Sequence, residues 1–288
     1  MQFLDVLKVI LFGIVEGITE WLPVSSTGHL ILFDAFLPLP FSAAFMDMFE
    51  YVIQLAAIFA VIILFWNKIF PLQKTTDENG KNGLQWKKDS LALWARVLVA
   101  CIPALLALVI DKLLLDNLDE FLQTTLIACT LIVYGVIFIV VEDMNKNKNP
   151  KITQTAELSI KTAFLIGCFQ VLAVIPGTSR SGITIIGALL MSVSRETAAE
   201  FTFLLSIPTM VGSSAYKILG FFLDGGVLGG AEWLALIIGC AVAFTVSLFA
   251  IKFLMNFVKS HNFKPFGYYR IALGIIVLAT LVVPVVLA

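Results

Sequence analysis

Glu16-Gly-Ile-Thr-Glu20-Trp-Leu-Pro23-Val-Ser25-Ser26-Thr27-Gly-His29-Leu30 sets two carboxylates, a cluster of hydroxyls and one imidazole inside otherwise apolar sequence. Glu16 and Glu20 are spaced i, i+4, so on a helix they share one face, one turn apart. Pro23 ends that helix, and the Ser25-Ser26-Thr27-Gly turn delivers His29 into a second apolar run. A carboxylate at the centre of a bilayer costs about 2.5–3.5 kcal/mol on insertion scales. Two on one face also repel, so this stretch reads as functional.

The surrounding chain justifies the membrane premise. Its 288 residues are 59% hydrophobic and only 14% charged, with a mean hydropathy of +0.97; a soluble domain would be about a quarter charged. The apolar segments are long and continuous, not alternating at period two, which excludes an outer-membrane barrel and leaves an all-α polytopic membrane protein. Net charge is −1, and no nucleic-acid partner is expected. Cys101, Cys129, Cys168 and Cys240 all fall in apolar runs without CxxC spacing and read as small buried hydrophobes. The N-terminus, with Asp5 and Lys8 but no basic region or small-residue cleavage site, is expected to remain in the mature protein.

Outward from the opening stretch, residues 3–38 form two apolar runs, each too short for a clean span of about 20 residues. They read as a re-entrant helical hairpin. Spans follow over about 45–66, 91–115 and 121–141, the first carrying Glu50 and, one turn later, Gln54. A second interrupted region, 160–193, turns at Pro176-Gly-Thr178-Ser179-Arg180-Ser181-Gly182, and spans over about 201–222, 233–258 and 271–287 complete the chain. The lysine-rich loops 67–90, 142–158 and 259–270 are assigned to the cytoplasm, and the connections 111–120 and 224–230 to the outside. The hairpins must then enter from opposite faces. The expected fold is a single membrane domain, 1–288, with six transmembrane helices, two re-entrant hairpins and both termini outside.

The halves resemble each other. Gly13-x-x-Glu16 and Pro23-Val-Ser-Ser26 match Gly167-x-x-Gln170 and Pro176-Gly-Thr-Ser179, and the span after each hairpin opens near a glutamate, Glu50 or Glu200. One hairpin plus three crossings per half makes an inverted-topology repeat, about 1–141 and 158–288, with the broken segments meeting at midplane.

Together the tips would collect Glu16, Glu20, Ser25, Ser26, Thr27, His29, Thr178, Ser179, Arg180, Ser181 and Thr184. A buried guanidinium needs an anion, a carboxylate or a phosphate. The turn before the second short helix offers hydroxyls and N–H groups to such an anion. The glutamates can pair with Arg180 or hold a divalent cation against phosphate oxygens. His29 and the serines supply a nucleophile and a general acid or base. The chemistry reads as phosphoryl transfer. Elsewhere, His261 reads as a solvated loop residue, and Arg96 and Lys217 as side chains snorkelling to the interface.

These two stretches resemble the signature motifs of the undecaprenyl-diphosphatase family, bacterial membrane phosphatases associated with bacitracin resistance. The motifs have the form (E/Q)-x-x-x-E with P-x-S-S-x-G-H, and P-G-x-S-R-S-x-x-T; both are unbroken here, from Glu16 to His29 and from Pro176 to Thr184. The resemblance implies hydrolysis of undecaprenyl diphosphate to undecaprenyl phosphate and phosphate, recycling a lipid carrier for peptidoglycan synthesis. It also implies a plasma-membrane location, a site open to the outer side, a divalent cation (Mg2+ or Ca2+) and a homodimer. On that basis Arg180 is expected to hold the diphosphate, aided by Ser179 and by Ser25, Thr27, Thr178, Ser181, Thr184 and Gln54. Glu16 and Glu20 would bind the cation, or Glu20 would activate the nucleophile. Ser26 is the expected nucleophile with His29 as general acid or base; the alternative is attack by His29 itself. Broken helices at midplane also suit a transporter of the phosphorylated carrier.

Overall fold

A computed structural model of the chain describes residues 1–76, 82–110 and 118–287. Residues 111–117 of the acidic connection, the end of the span expected over 91–115, and Lys81 lie outside the described residues.

Helix α1 (Phe3–Thr19) and α2 (Ser26–Phe36) form the first hairpin. Lys8 Nζ donates to the Pro38 carbonyl at 2.7 Å, so this hairpin starts and finishes at one end of the molecule. Helix α3 (Ala43–Leu64) leads through a short turn, α4 (Trp66–Ile69), into an antiparallel ribbon of β1 (Leu72–Thr76) and β2 (Asn82–Trp86), with Leu72 opposite Trp86. The ribbon stands where a polar loop is expected; Leu72, Thr75, Thr76, Leu84 and Trp86 give it strand propensity that the lysine pattern conceals. The next span is broken into α5 (Lys88–Cys101) and α6 (Ala104–Ile110). Pro103 causes the break, having no N–H and clashing with the preceding turn. Helix α7 (Glu120–Asn145) follows, capped by Asp119, whose Oδ1 accepts from the Leu122 N–H.

The second hairpin is α8 (Ile160–Val171), a tight turn over Leu172–Val174, and α9 (Arg180–Leu190). It starts and finishes at the lysine-rich end, where Ser192 O accepts from the Lys151 and Ile152 N–H groups. Then come α10 (Arg195–Leu223), α11 (Gly230–Ser260) and α12 (Lys264–Val277), the last continuing through a π-helical turn (Leu278–Val282) into α13 (Val283–Leu287). Pro284 accounts for that turn, since its ring excludes an ordinary hydrogen bond to Thr280. Helix α12 begins seven residues before the expected span, Pro265 standing in its first turn, so 264–270 is helix rather than cytoplasmic loop.

Among the described residues, five helical segments are long and apolar enough to cross a membrane: Ala43–Leu64, Lys88–Ala107, Glu120–Asn145, Gly230–Ser260 and Lys264–Val285. The remaining expected span, 201–222, lies in α10, which has the length but carries Ser206, Pro208, Thr209, Ser213, Ser214 and Lys217.

Helix pairing is reciprocal. Helix α1 packs on α11 and α8 on α5; α3 packs on α11 and α10 on α5; α7 and α12 pack on each other. A Cβ on Gly13 would press on the Gly239 carbonyl, and one on Gly167 would collide with the Ala100 backbone, so both short helices approach their partners at glycine.

The lysine-rich loops converge at one end. Glu142 there accepts from Arg195 Nη2 at 2.5 Å and from the Phe263 N–H at 2.9 Å, while Lys68 pairs with Glu200 at 2.7 Å. Arg96 donates to the Leu158 and Ala156 carbonyls, so it ties two chain segments together instead of snorkelling. Lys217, at the opposite end, pairs with Asp47 at 2.9 Å and covers the Tyr51 ring. His261 is exposed, stacked on Phe257. The four cysteines are free, but Cys129 and Cys168 sit on the exposed apolar exterior instead of in the core.

Candidate active site

The two hairpin tips are built alike. Ser25 and Ser179 adopt left-handed backbone conformations, φ 74° and 69°, and each caps the helix that follows. Ser25 Oγ accepts from the Gly28 N–H at 3.4 Å, and Ser179 Oγ from the Gly182 N–H at 3.2 Å. Such backbone geometry costs a non-glycine residue about 1–3 kcal/mol and persists where surrounding contacts enforce it. The caps align Ser25, not Ser26, with Ser179, which shifts the sequence match at the tips by one residue and leaves Ser26 opposite Arg180. Gly177, at φ 83°, lies against Thr130 and Ile127, where a Cβ would not fit.

Between the tips is a cavity of about 290 Å³ lined by Glu20, Ser25, Ser26, Thr27, Ser179, Arg180 and Ser181 from the two motifs, with Gln54. Arg180 Nη2 donates to Glu20 Oε1 at 2.5 Å, and Ser26 Oγ donates to Glu20 Oε2 at 2.9 Å. Ser181 Oγ donates to the Glu20 carbonyl at 3.2 Å. Glu20 therefore joins a hydroxyl of one tip to the guanidinium of the other. Arg180 spends little of its remaining capacity: Nη1 reaches Thr209 Oγ1 at 3.3 Å and Nη2 the Met210 sulfur at 3.0 Å.

Other expected residues lie outside the cavity wall. Thr184 is buried and donates to the Arg180 and Ser181 carbonyls, stabilising the first turn of α9. Thr178 is buried with its hydroxyl unpartnered. His29 Nδ1 is 2.7 Å from the Ser25 carbonyl, which only accepts, so Nδ1 carries the proton and Nε2 accepts from the Tyr269 hydroxyl at 2.7 Å. Glu16 is fully buried; neither carboxylate oxygen has a hydrogen-bond partner, although Glu20, Glu50 and Gln54 are close.

Several site residues escape a sequence reading. Thr209, Met210 and Ser213 line the cavity from α10, and Tyr51 from α3; the signal was Pro208 among hydroxyl residues in the middle of a span. Arg270 is fully buried and holds both tips: Nη2 donates to the Gly177 and Thr178 carbonyls at 2.8 and 2.9 Å, and Nη1 to the Pro23 carbonyl at 3.4 Å. It falls in the stretch expected to be a cytoplasmic loop, and its signal was the Lys264-Pro265 helix start.

Residues 9–276 match the family described as Bacitracin resistance protein BacA. The chain is 55% identical over 280 residues to an undecaprenyl-diphosphatase of Enterococcus faecalis, covering 96% of this chain and 98% of that one. It is 52% identical over 277 residues to an undecaprenyl-diphosphatase of Lachnoclostridium phytofermentans, covering 96% and 97%. An undecaprenyl-diphosphatase of Acetivibrio thermocellus is 51% identical over 276 residues, covering 95% and 97%. With matches of this extent, the chain belongs to the bacitracin resistance protein BacA family.

Proposed function

We propose that the protein is a membrane phosphatase that hydrolyses undecaprenyl diphosphate to undecaprenyl phosphate and inorganic phosphate. The observation carrying this reading is the Ser26–Glu20–Arg180 chain of hydrogen bonds joining the two tips across the cavity. The names of the relatives favour hydrolysis over transport of the carrier.

Before substrate arrives, Arg180 holds Glu20 aligned on Ser26. A diphosphate head competes for the guanidinium, whose planar fork suits two phosphate oxygens. As Arg180 turns to phosphate, Glu20 is left to take the Ser26 proton. Ser26 Oγ then bonds to the terminal phosphorus, the bridging P–O bond breaks, and the electron pair leaves on undecaprenyl phosphate. Glu20 passes the Ser26 proton to the departing undecaprenyl phosphate and is a carboxylate again. Water then attacks the phosphorus of the phosphoserine and gives one proton to Glu20. The Ser26 O–P bond breaks, Glu20 returns the proton to the Ser26 oxygen, and inorganic phosphate is freed. Ser25, Thr27, Ser179 and Ser181 surround the head with hydroxyl and N–H donors; positioning and charge neutralisation supply most of the acceleration. His29 donates to the Ser25 carbonyl and so fixes the tip, and the Ser26–Glu20 hydrogen bond supports Ser26 as the attacking group.

The donor set fits a hard divalent cation. The orphaned oxygens of Glu16 need a proton or a cation, and Glu16, Glu20 and the Gln54 amide present oxygen ligands only. Among the described residues no group of three or more His, Cys, Asp or Glu side chains could hold a metal, so substrate phosphates would complete the shell, as they do for magnesium. When bound, such an ion neutralises charge developing on the phosphate oxygens.

The same reading treats α10 as the sixth span, makes both hairpins re-entrant and relates residues 1–141 to 158–288 as an inverted repeat. The reciprocal helix pairing supports it. With the lysine-rich end cytoplasmic, both termini lie outside in the plasma membrane, the cavity opens to the outer side, and a homodimer is the expected assembly. Phosphate release from undecaprenyl diphosphate by protein in detergent tests the activity, since no bilayer remains to be crossed. Release that disappears in Arg180→Ala with folding intact supports the reading; no release from the wild type with either magnesium or calcium contradicts it.

A further inference from the structure

Glu20 stands five residues before the cap Ser25, and Val174 five residues before the cap Ser179. Thr19 and Ala173 precede them, and all four line the cavity. The equivalent positions of the two tips therefore differ in chemistry: one offers a hydroxyl and a carboxylate, the other only hydrocarbon. Helix α6 extends the apolar side. Ala104 and Ala107, spaced i, i+3, line the same cavity. Leu105 and Leu106 on that helix are 65% and 57% exposed, toward what would be lipid. This seven-residue helix is thus the partition between the polar cavity and the hydrocarbon of the bilayer.

We propose that Ala104, Ala107, Ala173 and Val174 form a prenyl wall. It seats the first isoprene unit of the substrate beside the diphosphate head, and the rest of the chain leaves toward lipid past α6. The inference rests on the phosphatase reading for the identity of the substrate and adds a determinant of specificity. A diphosphate bound to Arg180 carries its ester oxygen on one side only. The hydrocarbon attached there cannot face Glu20 and the serines without stranding their polar groups. The alanines leave room for a branched C5 unit, which longer side chains would fill. Because the wall meets only the unit next to the head, it selects a prenyl ester over other diphosphates and is indifferent to chain length.

The test uses full-length protein in detergent with two non-hydrolysable probes, farnesyl methylenediphosphonate and methylenediphosphonate, and two substrates, farnesyl and undecaprenyl diphosphate. Ala107→Phe, and Ala173→Leu on a separate element, are expected to weaken farnesyl-probe binding about tenfold or more. They should raise KM by a similar factor for both substrates and leave the affinity for methylenediphosphonate unchanged. Phe249→Leu, on the exposed apolar face of α11 and outside the cavity lining, should match the wild type throughout. Equal loss for both probes, or no loss for the farnesyl probe, overturns the wall. If the wild type binds the farnesyl probe with this variant pattern yet releases no phosphate, the phosphatase reading fails while the wall stands.

Discussion

Glu20 Oε1 and Arg180 Nη2 are 2.5 Å apart, although 160 residues separate them in sequence. The contact closes one hairpin tip on the other and leaves the second oxygen of Glu20 on Ser26. Both side chains are largely buried, 9% and 18% exposed, so each depends on its partner. Glu20→Gln should lower phosphate release about 10²–10³-fold while preserving the fold, since the amide still accepts from Arg180 but takes no proton. Arg180→Ala leaves the carboxylate alone and should destabilise as well. A double-mutant cycle on thermal unfolding should show a coupling of about 1–3 kcal/mol between the positions.

Arg270 is expected to matter through stability first. Its guanidinium satisfies three carbonyls of the two tips, and each carbonyl stranded by Arg270→Met costs about 1–3 kcal/mol. The variant should unfold several degrees lower in detergent, and activity should fall because the tips separate. Lysine has too short a reach for all three carbonyls and should rescue only part of the loss.

The caps separate side-chain from backbone effects. Ser179→Ala removes the acceptor for the Gly182 N–H and keeps the strained φ, and should destabilise by about 0.5–2 kcal/mol. Ser179→Gly also loses the cap but relieves the strain. It should be the milder change in thermal unfolding, and the same order should hold at Ser25.

What could be read in the chain beforehand follows a physical line. The hairpins were legible because Pro23 and Pro176 interrupt apolar runs too short to span. Glu20, Ser26 and Arg180 were legible because polar groups are rare in such runs. Arg270 and Tyr269 were not, because a basic, aromatic segment after a span looks like an interfacial loop until Pro265 is read as a helix start. Arg96 misled for a similar reason: its position suits snorkelling, and only tertiary structure supplies the Leu158 and Ala156 carbonyls. The one-residue shift between Ser26 and Ser25 as the partner of Ser179 is a matter of backbone conformation, invisible to residue type. The strands Leu72–Thr76 and Asn82–Trp86 were obscured by the surrounding lysines.

Outside the membrane, Glu157 gives a pH-dependent prediction. The Thr153 N–H, with that of Gln154, holds its carboxyl below the usual range. A carboxyl depressed in the folded state stabilises above its unfolded pKa, and that contribution is lost as pH falls through the folded value. Glu157→Gln should therefore be less stable than the wild type at neutral pH, with the difference shrinking in acid. Melting temperatures measured from pH 7 down to pH 3 would check this.

The central claim is that Ser26 attacks the terminal phosphorus. Rapid acid quenching with undecaprenyl diphosphate labelled in that phosphate, followed by peptide mapping, tests it directly. Acid-stable label on the peptide containing Ser26, absent in Ser26→Ala, is the predicted result. Acid-labile label on His29, or turnover in Ser26→Ala at the wild-type rate, would contradict it.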